Sequence, residues 1–153
     1  MNYILGKGQH RRYINSLAEQ DFLLCPKFYT IKNGEDELIF LLTNQQKINQ
    51  ISSDIFSSNT QCEALENHFH LFDRVHLKYR KDIKRISIAI ARNLFSTLQF
   101  EYPNKKFIVY LDLNYQDSII VRFHQVWEDE ALYYDPILFE KEYRSGKLIK
   151  FDL

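Results

Sequence analysis

The strongest constraint on the fold is a long amphipathic segment in the middle of the chain. Between residues 79 and 99, apolar residues recur at steps of three and four, the spacing of one helical face: Tyr79, Ile83, Ile86, Ile90, Leu94 and Leu98. Asp82 would lie in the first turn, and Pro103 follows the end of the pattern. The sequence therefore predicts a helix over about residues 79–99, with one face that must be buried against another element.

Two strand-like segments follow this helix and predict a hairpin. Residues 105–113 (KKFIVYLDL) and 117–127 (DSIIVRFHQVW) are rich in β-branched and aromatic residues, and residues 114–116 connect them. A connection with an odd number of residues places one apolar set on a common face: Phe107, Val109, Leu111, Leu113, Ile119, Val121, Phe123 and Trp127. The opposite face then holds Ile108, Tyr110, Asp112, Ile120, Arg122, His124 and Val126. An even-numbered connection would bury Arg122 and His124 beside the apolar set without an evident partner, so we predict the odd one.

The remaining elements define the expected fold class. Residues 27–32 (KFYTIK) and 37–43 (ELIFLLT) predict a first hairpin around an Asn-Gly turn, and residues 44–56 and 62–72 are predicted as short helices. The tail ends in a last strand, LIKFDL. Helices clustered between hairpins favour the α+β class. We expect a single domain over residues 1–153, in which a mainly antiparallel sheet of two hairpins and a C-terminal strand packs against the long helix and the shorter helices.

Composition disfavours several classes of protein. Lys plus Arg number 20, as do Asp plus Glu, so the chain lacks the overall positive charge that gives non-specific affinity for nucleic acid. No stretch approaches the roughly 18 consecutive apolar residues of a membrane span, and we expect a soluble, cytoplasmic protein with no membrane partner. Cys25 and Cys62 lie far apart without a paired-cysteine motif, which predicts neither a zinc finger nor a disulfide framework. The oligomeric state stays open.

Motifs for metals and nucleophiles are weak. Four histidines could be considered as metal ligands: His68, His70, His76 and His124. The segment around the first three looks helical or irregular, and a helix splays the rings of an HxH pair, so no metal site is predicted. A cysteine paired with His68 carries no signature of a nucleophile and its base. The GKG fragment at residues 6–8 is predicted to be a loop or bulge, and no cofactor is expected.

The second face of the predicted hairpin holds the most enzyme-like group of side chains. Asp112, Arg122 and His124, with Tyr110, could supply general acid and base chemistry in a small hydrolase or nuclease. Cross-strand pairing of Asp112 with Arg122 on an exposed face explains the same residues without catalysis. We favour the second explanation and predict no catalytic residue.

A basic stripe precedes and enters the long helix. Residues 74–85 (RVHLKYRKDIKR) contain six Lys or Arg among twelve positions, interleaved with Val75, Leu77, Tyr79 and Ile83. Such a stripe could bind a phosphate backbone in a nucleic-acid accessory protein. A solvated helix face explains it equally simply and is the interpretation we favour.

Two acidic clusters form the favoured candidate site. The first lies at the turn of the first hairpin and contains Glu35, Asp36 and Glu37. The second follows the second hairpin and mixes carboxylates with aromatic residues: Trp127, Glu128, Asp129, Glu130, Tyr133, Tyr134 and Asp135. Aromatic side chains supply buried area at interfaces, and charges steer a partner of opposite sign. A basic protein partner, such as a nuclease, would suit these residues, although charge runs also occur as solvated loops.

A family resemblance covers residues 78–136. This region consists of the long helix followed by FIVYLDLNYQDSIIVRFHQVWEDEALYYDP, and its specific part is IIVRFHQVWEDEALYYD after an apolar strand and a tight loop. It resembles small bacterial immunity proteins of contact-dependent growth inhibition and other polymorphic toxin systems. The resemblance implies a cytoplasmic protein without enzymatic activity that binds a cognate toxin C-terminal domain, often a nuclease, and blocks its active site. Because such families share no catalytic residues, no residue role is carried over.

Overall fold

The fold alternates helices with antiparallel strands. A computed structural model describes residues 7–19, 21–43 and 58–152. Within these ranges the helices are α1 (Lys7–Ala18), α2 (Asn59–Glu66), α3 (Arg80–Glu101) and α4 (Glu140–Arg144). The strands are β1 (Phe28–Asn33), β2 (Asp36–Leu41), β3 (His68–Asp73), β4 (Phe107–Leu113), β5 (Ser118–Gln125) and β6 (Leu148–Phe151). The predicted α+β class is confirmed, and the helix predicted over residues 44–56 lies outside the described residues.

The predicted long helix is present as α3. It follows a 3-10 turn at Leu77–Tyr79 and buries one face: Ile83, Ser87, Ile90, Ala91, Leu94 and Leu98. This face differs from the predicted one at Ile86, which is 38% exposed, while Ser87 is buried. The Ser87 hydroxyl donates to the Ile83 carbonyl at 2.8 Å, so the serine enters the core without an unsatisfied polar group. Neither α3 nor any other described helix has the length and apolar character of a membrane span.

Strands β4 and β5 are joined by a connection with an odd number of residues, as predicted, but it is longer than the predicted connection of residues 114–116. Leu113 lies opposite Ile119, which leaves the odd-numbered connection of residues 114–118. The apolar face of both strands packs in the main core with α3, as the alternation of apolar and polar residues required. Trp127 is the exception, because it lies beyond the end of β5 and packs beside Leu38 and Phe40.

The two hairpins form separate sheets. One sheet has four strands in the order β3-β5-β4-β6, and the other contains β1 and β2. Side chains from α2 and the residue after it occupy the outer edge of β2: the Ile39 N–H donates to Glu63 at 2.8 Å, and the Leu41 N–H donates to Asn67 at 3.0 Å. Because these backbone groups already have partners, β2 is not available to join the larger sheet.

Two local predictions are wrong. The helix predicted over residues 62–72 ends at Glu66, and β3 follows it at once and pairs with β5. Tertiary pairing overrides local preference here, because β3 buries Leu71 and Phe72 against the core. The predicted loop at the GKG fragment is also wrong for Lys7 and Gly8, which lie in α1.

Both faces of the four-stranded sheet are covered. Helix α3 packs on one face, and on the other Ile108, Tyr110 and Leu148 pack against five further side chains: Leu132, Tyr133, Tyr134, Phe139 and Tyr143. On the face that the sequence predicted to be exposed, Tyr110, Arg122 and His124 are therefore buried, whereas Val126 is 41% exposed. The covering segment escaped prediction because residues 126–139 contain no helix or strand whose periodicity could reveal it.

Candidate partner-binding surface

The structure brings the two acidic clusters together at the start of α2. The Asn59 side-chain amide donates to Asp36 Oδ2 at 2.7 Å, and its backbone N–H donates to Glu130 Oε1 at 2.9 Å. Asn33 donates in turn to Asn59 Oδ1 at 2.9 Å. The hairpin turn and the loop after β5 therefore meet at one asparagine. We call the carboxylates of these two segments the acidic surface: Glu35, Asp36, Glu128, Asp129 and Glu130.

Glu130 fixes this arrangement by capping α2. Its second carboxylate oxygen accepts the Thr60 N–H at 2.6 Å, so both oxygens bind the first backbone donors of the helix. These donors have no partner within the helix itself, and a negative charge at this end interacts favourably with the helix dipole. Burial acts to raise the pKa of Glu130, but the hydrogen bonds from Thr60, Asn59 and Ser58 outweigh it and lower the pKa. Glu130 is a structural carboxylate.

The other members of the acidic surface face solvent. Glu35, Asp36, Glu128 and Asp129 are all exposed. Among the described residues, none of them forms an ion pair. Glu37, the third acid of the hairpin turn, differs because its carboxylate lies 3.7 Å from Lys105 Nζ. The four exposed carboxylates therefore present negative charge that no ion pair with another described residue neutralises.

A buried glutamate that the sequence analysis missed holds Trp127. Glu63 is 0% exposed and accepts at Oε1 from the Ile39 N–H at 2.8 Å and from the Gln125 side chain at 2.5 Å. At Oε2 it accepts the Gln125 N–H at 2.8 Å and the Trp127 indole N–H at 3.1 Å. Burial raises the pKa of Glu63 although these bonds oppose the shift. One carboxylate thus ties α2, β2 and the end of β5 together.

Trp127 is only half-buried and packs against the smaller sheet. It contacts the cluster formed by Leu38, Phe40 and Cys62, and Tyr29 and Ile31 complete the same cluster. Glu128 and Asp129 follow it directly in the chain and are exposed. Trp127 therefore anchors the acidic loop to the first hairpin, and its remaining exposed part borders the acidic surface.

The remaining predicted residues lie further along the same loop. Tyr133 and Tyr134 are half-buried and stack on Arg122, whose guanidinium carbon lies 4.2 and 5.7 Å from their ring centroids. Asp135 accepts the backbone N–H groups of Ile137 and Leu138 at 2.7 and 3.1 Å. These three residues shape the loop, whereas the exposed carboxylates lie near its beginning.

The enzyme-like group lies under this loop. Tyr110 and His124 are 0% exposed, and Arg122 is 7% exposed. Arg122 Nη1 donates to the Ala64 carbonyl at 2.9 Å, and within the described chain its Nε has no partner. Burial raises the pKa of Asp112 against the opposing effect of Arg122 and lowers the pKa of His124. The favoured explanation assumed an exposed face; burial beneath two tyrosines corrects that assumption.

The histidines and cysteines form no metal cluster in the described part of the chain. His68 and His70 lie on a strand, with ring centroids 5.7 Å apart. The prediction that they lie in a helical or irregular segment, which would separate their rings, is therefore wrong. Burial raises the pKa of Cys62 to about 11, helped by Glu66 and Glu63, which disfavours the reactive thiolate. Cys25 is exposed and, like Cys62, is a free thiol.

The basic stripe divides between core and surface. Val75, Tyr79 and Ile83 are buried, whereas Leu77 is 73% exposed. Within the stripe, Arg80 and Lys84 line a cavity, and Lys81 and Arg85 face solvent. The stripe is therefore not one uniform solvated face.

Comparison with known proteins identifies the family. The chain joins an α+β fold to an acidic surface organised around Asn59. It belongs to the Uncharacterized protein PM0498 family, whose model matches residues 12–142. No curated protein and no solved structure matches the chain.

Proposed function

We propose that this protein is an immunity protein that acts in the bacterial cytoplasm, where it binds a cognate toxin domain and blocks its active site. The observation that carries the proposal is the convergence of Asp36 and Glu130 on Asn59, which joins two acidic segments far apart in sequence. The resemblance of residues 78–136 to immunity proteins of polymorphic toxin systems points to the same class.

The charge of the acidic surface favours a nuclease as the toxin. A nuclease must attract the phosphate backbone and therefore presents positive charge around its active site. Exposed carboxylates without local counter-ions complement such a site, and complementary charge accelerates association. Four exposed carboxylates on the two segments that meet at Asn59 supply that complement: Glu35, Asp36, Glu128 and Asp129.

The scaffold reduces the cost of binding. Asn59 and Glu130 hold the two acidic segments against α2, and Glu63 holds the tryptophan from which the second segment departs. A surface already ordered in the free protein loses less conformational entropy when it binds. Binding therefore requires little rearrangement of these segments.

The proposal expects a large secreted protein to be encoded immediately upstream, and the test uses the C-terminal domain of that protein. We expect tight binding, protection of the domain's substrate, and an association rate that falls with added salt. Combining Asp36→Lys, Glu128→Lys and Asp129→Lys should lower the association rate at low salt by about tenfold or more. Glu130 is left intact because it caps α2.

A matched control separates local from global charge. Combining Glu19→Lys, Glu101→Lys and Asp117→Lys changes the net charge equally at exposed positions outside the acidic surface. This control should bind nearly as the unmodified protein does. Equal loss in both triple variants would remove the acidic surface from the proposal, and failure of the unmodified protein to bind the domain would refute it.

A further inference from the structure

A second feature lies at the opposite end of the four-stranded sheet. The acidic surface follows the end of β5 at Gln125, which pairs with the start of β4 at Phe107. At the other end, the connection between β4 and β5, the first turns of α3 and the turn before β6 surround a cavity of about 630 Å³. This volume lies within the usual range for small-molecule sites.

The lining of the cavity combines charges from separate elements. Arg80 and Lys84 come from one face of α3, and Lys147 comes from the turn before β6. Asp112 from β4 and Glu142 from α4 are the carboxylates of the lining. Three cations against two carboxylates leave one net positive charge, on a chain whose overall formal charge is zero.

Arg80 is held in place by an aromatic ring beside the cavity. Its guanidinium carbon lies 5.1 Å from the centroid of the Tyr115 ring, which fixes the side chain by cation–π stacking. Its Nε is buried and, within the described residues, has no hydrogen-bond partner. A buried donor without an acceptor costs free energy, and the same guanidinium group belongs to a residue that lines the cavity.

We infer that this cavity binds a small phosphate monoester, with Arg80 donating to the phosphate oxygens and Lys84 and Lys147 neutralising its charge. A guanidinium donates to phosphate through paired N–H groups, and ammonium groups act as compact charges beside it. Asp112 and Glu142 restrict the ligand to one anionic group because they would repel a second phosphate. A small molecule fits this lining better than a nucleic-acid backbone.

The probes are inorganic phosphate and ribose 5-phosphate, titrated into the isotope-labelled full chain at constant ionic strength. We expect saturable amide shifts at Tyr115, Gly146 and Lys147, with the monoester binding at least as tightly as inorganic phosphate. Arg80→Gln should weaken binding by about tenfold or more, because hydrogen bonds to charged groups are among the stronger ones. The neighbouring Lys81→Gln is the control, since Lys81 is exposed and does not line the cavity.

Two results would overturn the inference. Amide shifts that do not saturate, or an affinity that Arg80→Gln and Lys81→Gln lower equally, would show general electrostatic attraction. A single-stranded oligonucleotide that binds more tightly than the monoester, and loses affinity with Lys81→Gln, would assign the basic residues to nucleic acid.

If Arg80→Gln fails to fold, the exposed Lys147→Gln serves the same comparison. The acidic-surface triple variant should retain phosphate binding, so failure of the toxin proposal is distinguishable from failure of this one.

Discussion

The Trp127 indole N–H donates to Glu63 Oε2 at 3.1 Å, and this bond joins the loop that carries Glu128 and Asp129 to the interior of the protein. The same carboxylate accepts backbone N–H groups from β2 and from the end of β5. The position of the acidic surface therefore depends on a residue that contributes no exposed charge of its own.

Glu63→Gln should destabilise the fold strongly. The new amide must direct its NH₂ group at a donor, which leaves buried N–H groups without an acceptor at about 1–3 kcal/mol each. We expect a loss of at least about 2 kcal/mol in the free energy of unfolding. Urea denaturation followed by fluorescence measures it, because Trp127 is the single tryptophan of the chain. Glu66→Gln, an exposed change in the same helix, should stay within about 0.5 kcal/mol.

Stability should fall in mild acid because of His124. Nδ1 lies 2.6 Å from the Gln125 carbonyl, and the Tyr133 N–H approaches Nε2 at 3.5 Å, so a neutral ring serves both contacts. Burial lowers the pKa of His124 below the usual histidine value of 6.5. The folded state favours the neutral ring. The stability that His124 contributes is therefore complete above pH 6.5 and is lost as the pH falls from 6.5 towards the pKa of His124 in the folded protein.

The measurement is the free energy of unfolding between pH 7.5 and pH 5. His124→Gln should flatten the slope in this range, whereas His76→Gln, at an exposed position, should leave it unchanged. An identical slope in the His124 variant and the unmodified protein would contradict the assignment.

Glu130→Gln should weaken the cap of α2 by about 1 kcal/mol, the usual value of a side-chain cap. Because the pKa of Glu130 is lowered in the folded state, the stability that this cap contributes is greater at high pH than at low pH. Its contribution is present above the unfolded-state pKa of about 4.3 and is lost as pH falls through the folded pKa. Chemical denaturation at pH 7 and pH 3 checks both statements. Glu128→Gln, which changes an exposed neighbour, is the control, and a comparable loss there would argue against capping.

The two cysteines should differ sharply in reactivity. Cys25 is exposed, whereas Cys62 is buried with its pKa raised to about 11. Alkylation with iodoacetamide at pH 8, followed by peptide mass analysis, should modify Cys25 well before Cys62, because the thiolate is the reacting form. Denaturant should remove the difference. Rapid labelling of Cys62 in the folded protein would show that the cluster around Trp127 opens readily.

Sequence periodicity predicted the elements whose burial repeats regularly. The alternation of Phe107, Val109 and Leu111 predicted that the connection between β4 and β5 has an odd number of residues, because a slip by one residue would move the whole set to the other face. The same pattern could not show that Arg122 is covered, because Tyr133 and Tyr134 lie in a loop without a period.

The sequence predicted the residues of the acidic surface but not their arrangement, for a similar reason. Both acidic clusters are visible in the sequence, but their meeting at Asn59 depends on tertiary packing. Glu63 and Asn67 carried a signal that could have been used: polar residues four positions apart at the end of a helix lie on one face, where they can serve an adjacent strand. Nothing in a single sequence shows that β2 is that strand.

The side chains along β2 also determine what amide hydrogen exchange would report. The N–H groups of Ile39 and Leu41 donate to Glu63 and Asn67, not to a neighbouring strand. Their protection against deuterium therefore measures how long α2 stays docked, whereas the amides between β1 and β2 measure the opening of the hairpin. When α2 detaches, the outer edge of β2 is left without hydrogen-bond partners and can pair with a strand of another chain. The exchange rates of these two amides therefore report how often that edge is open.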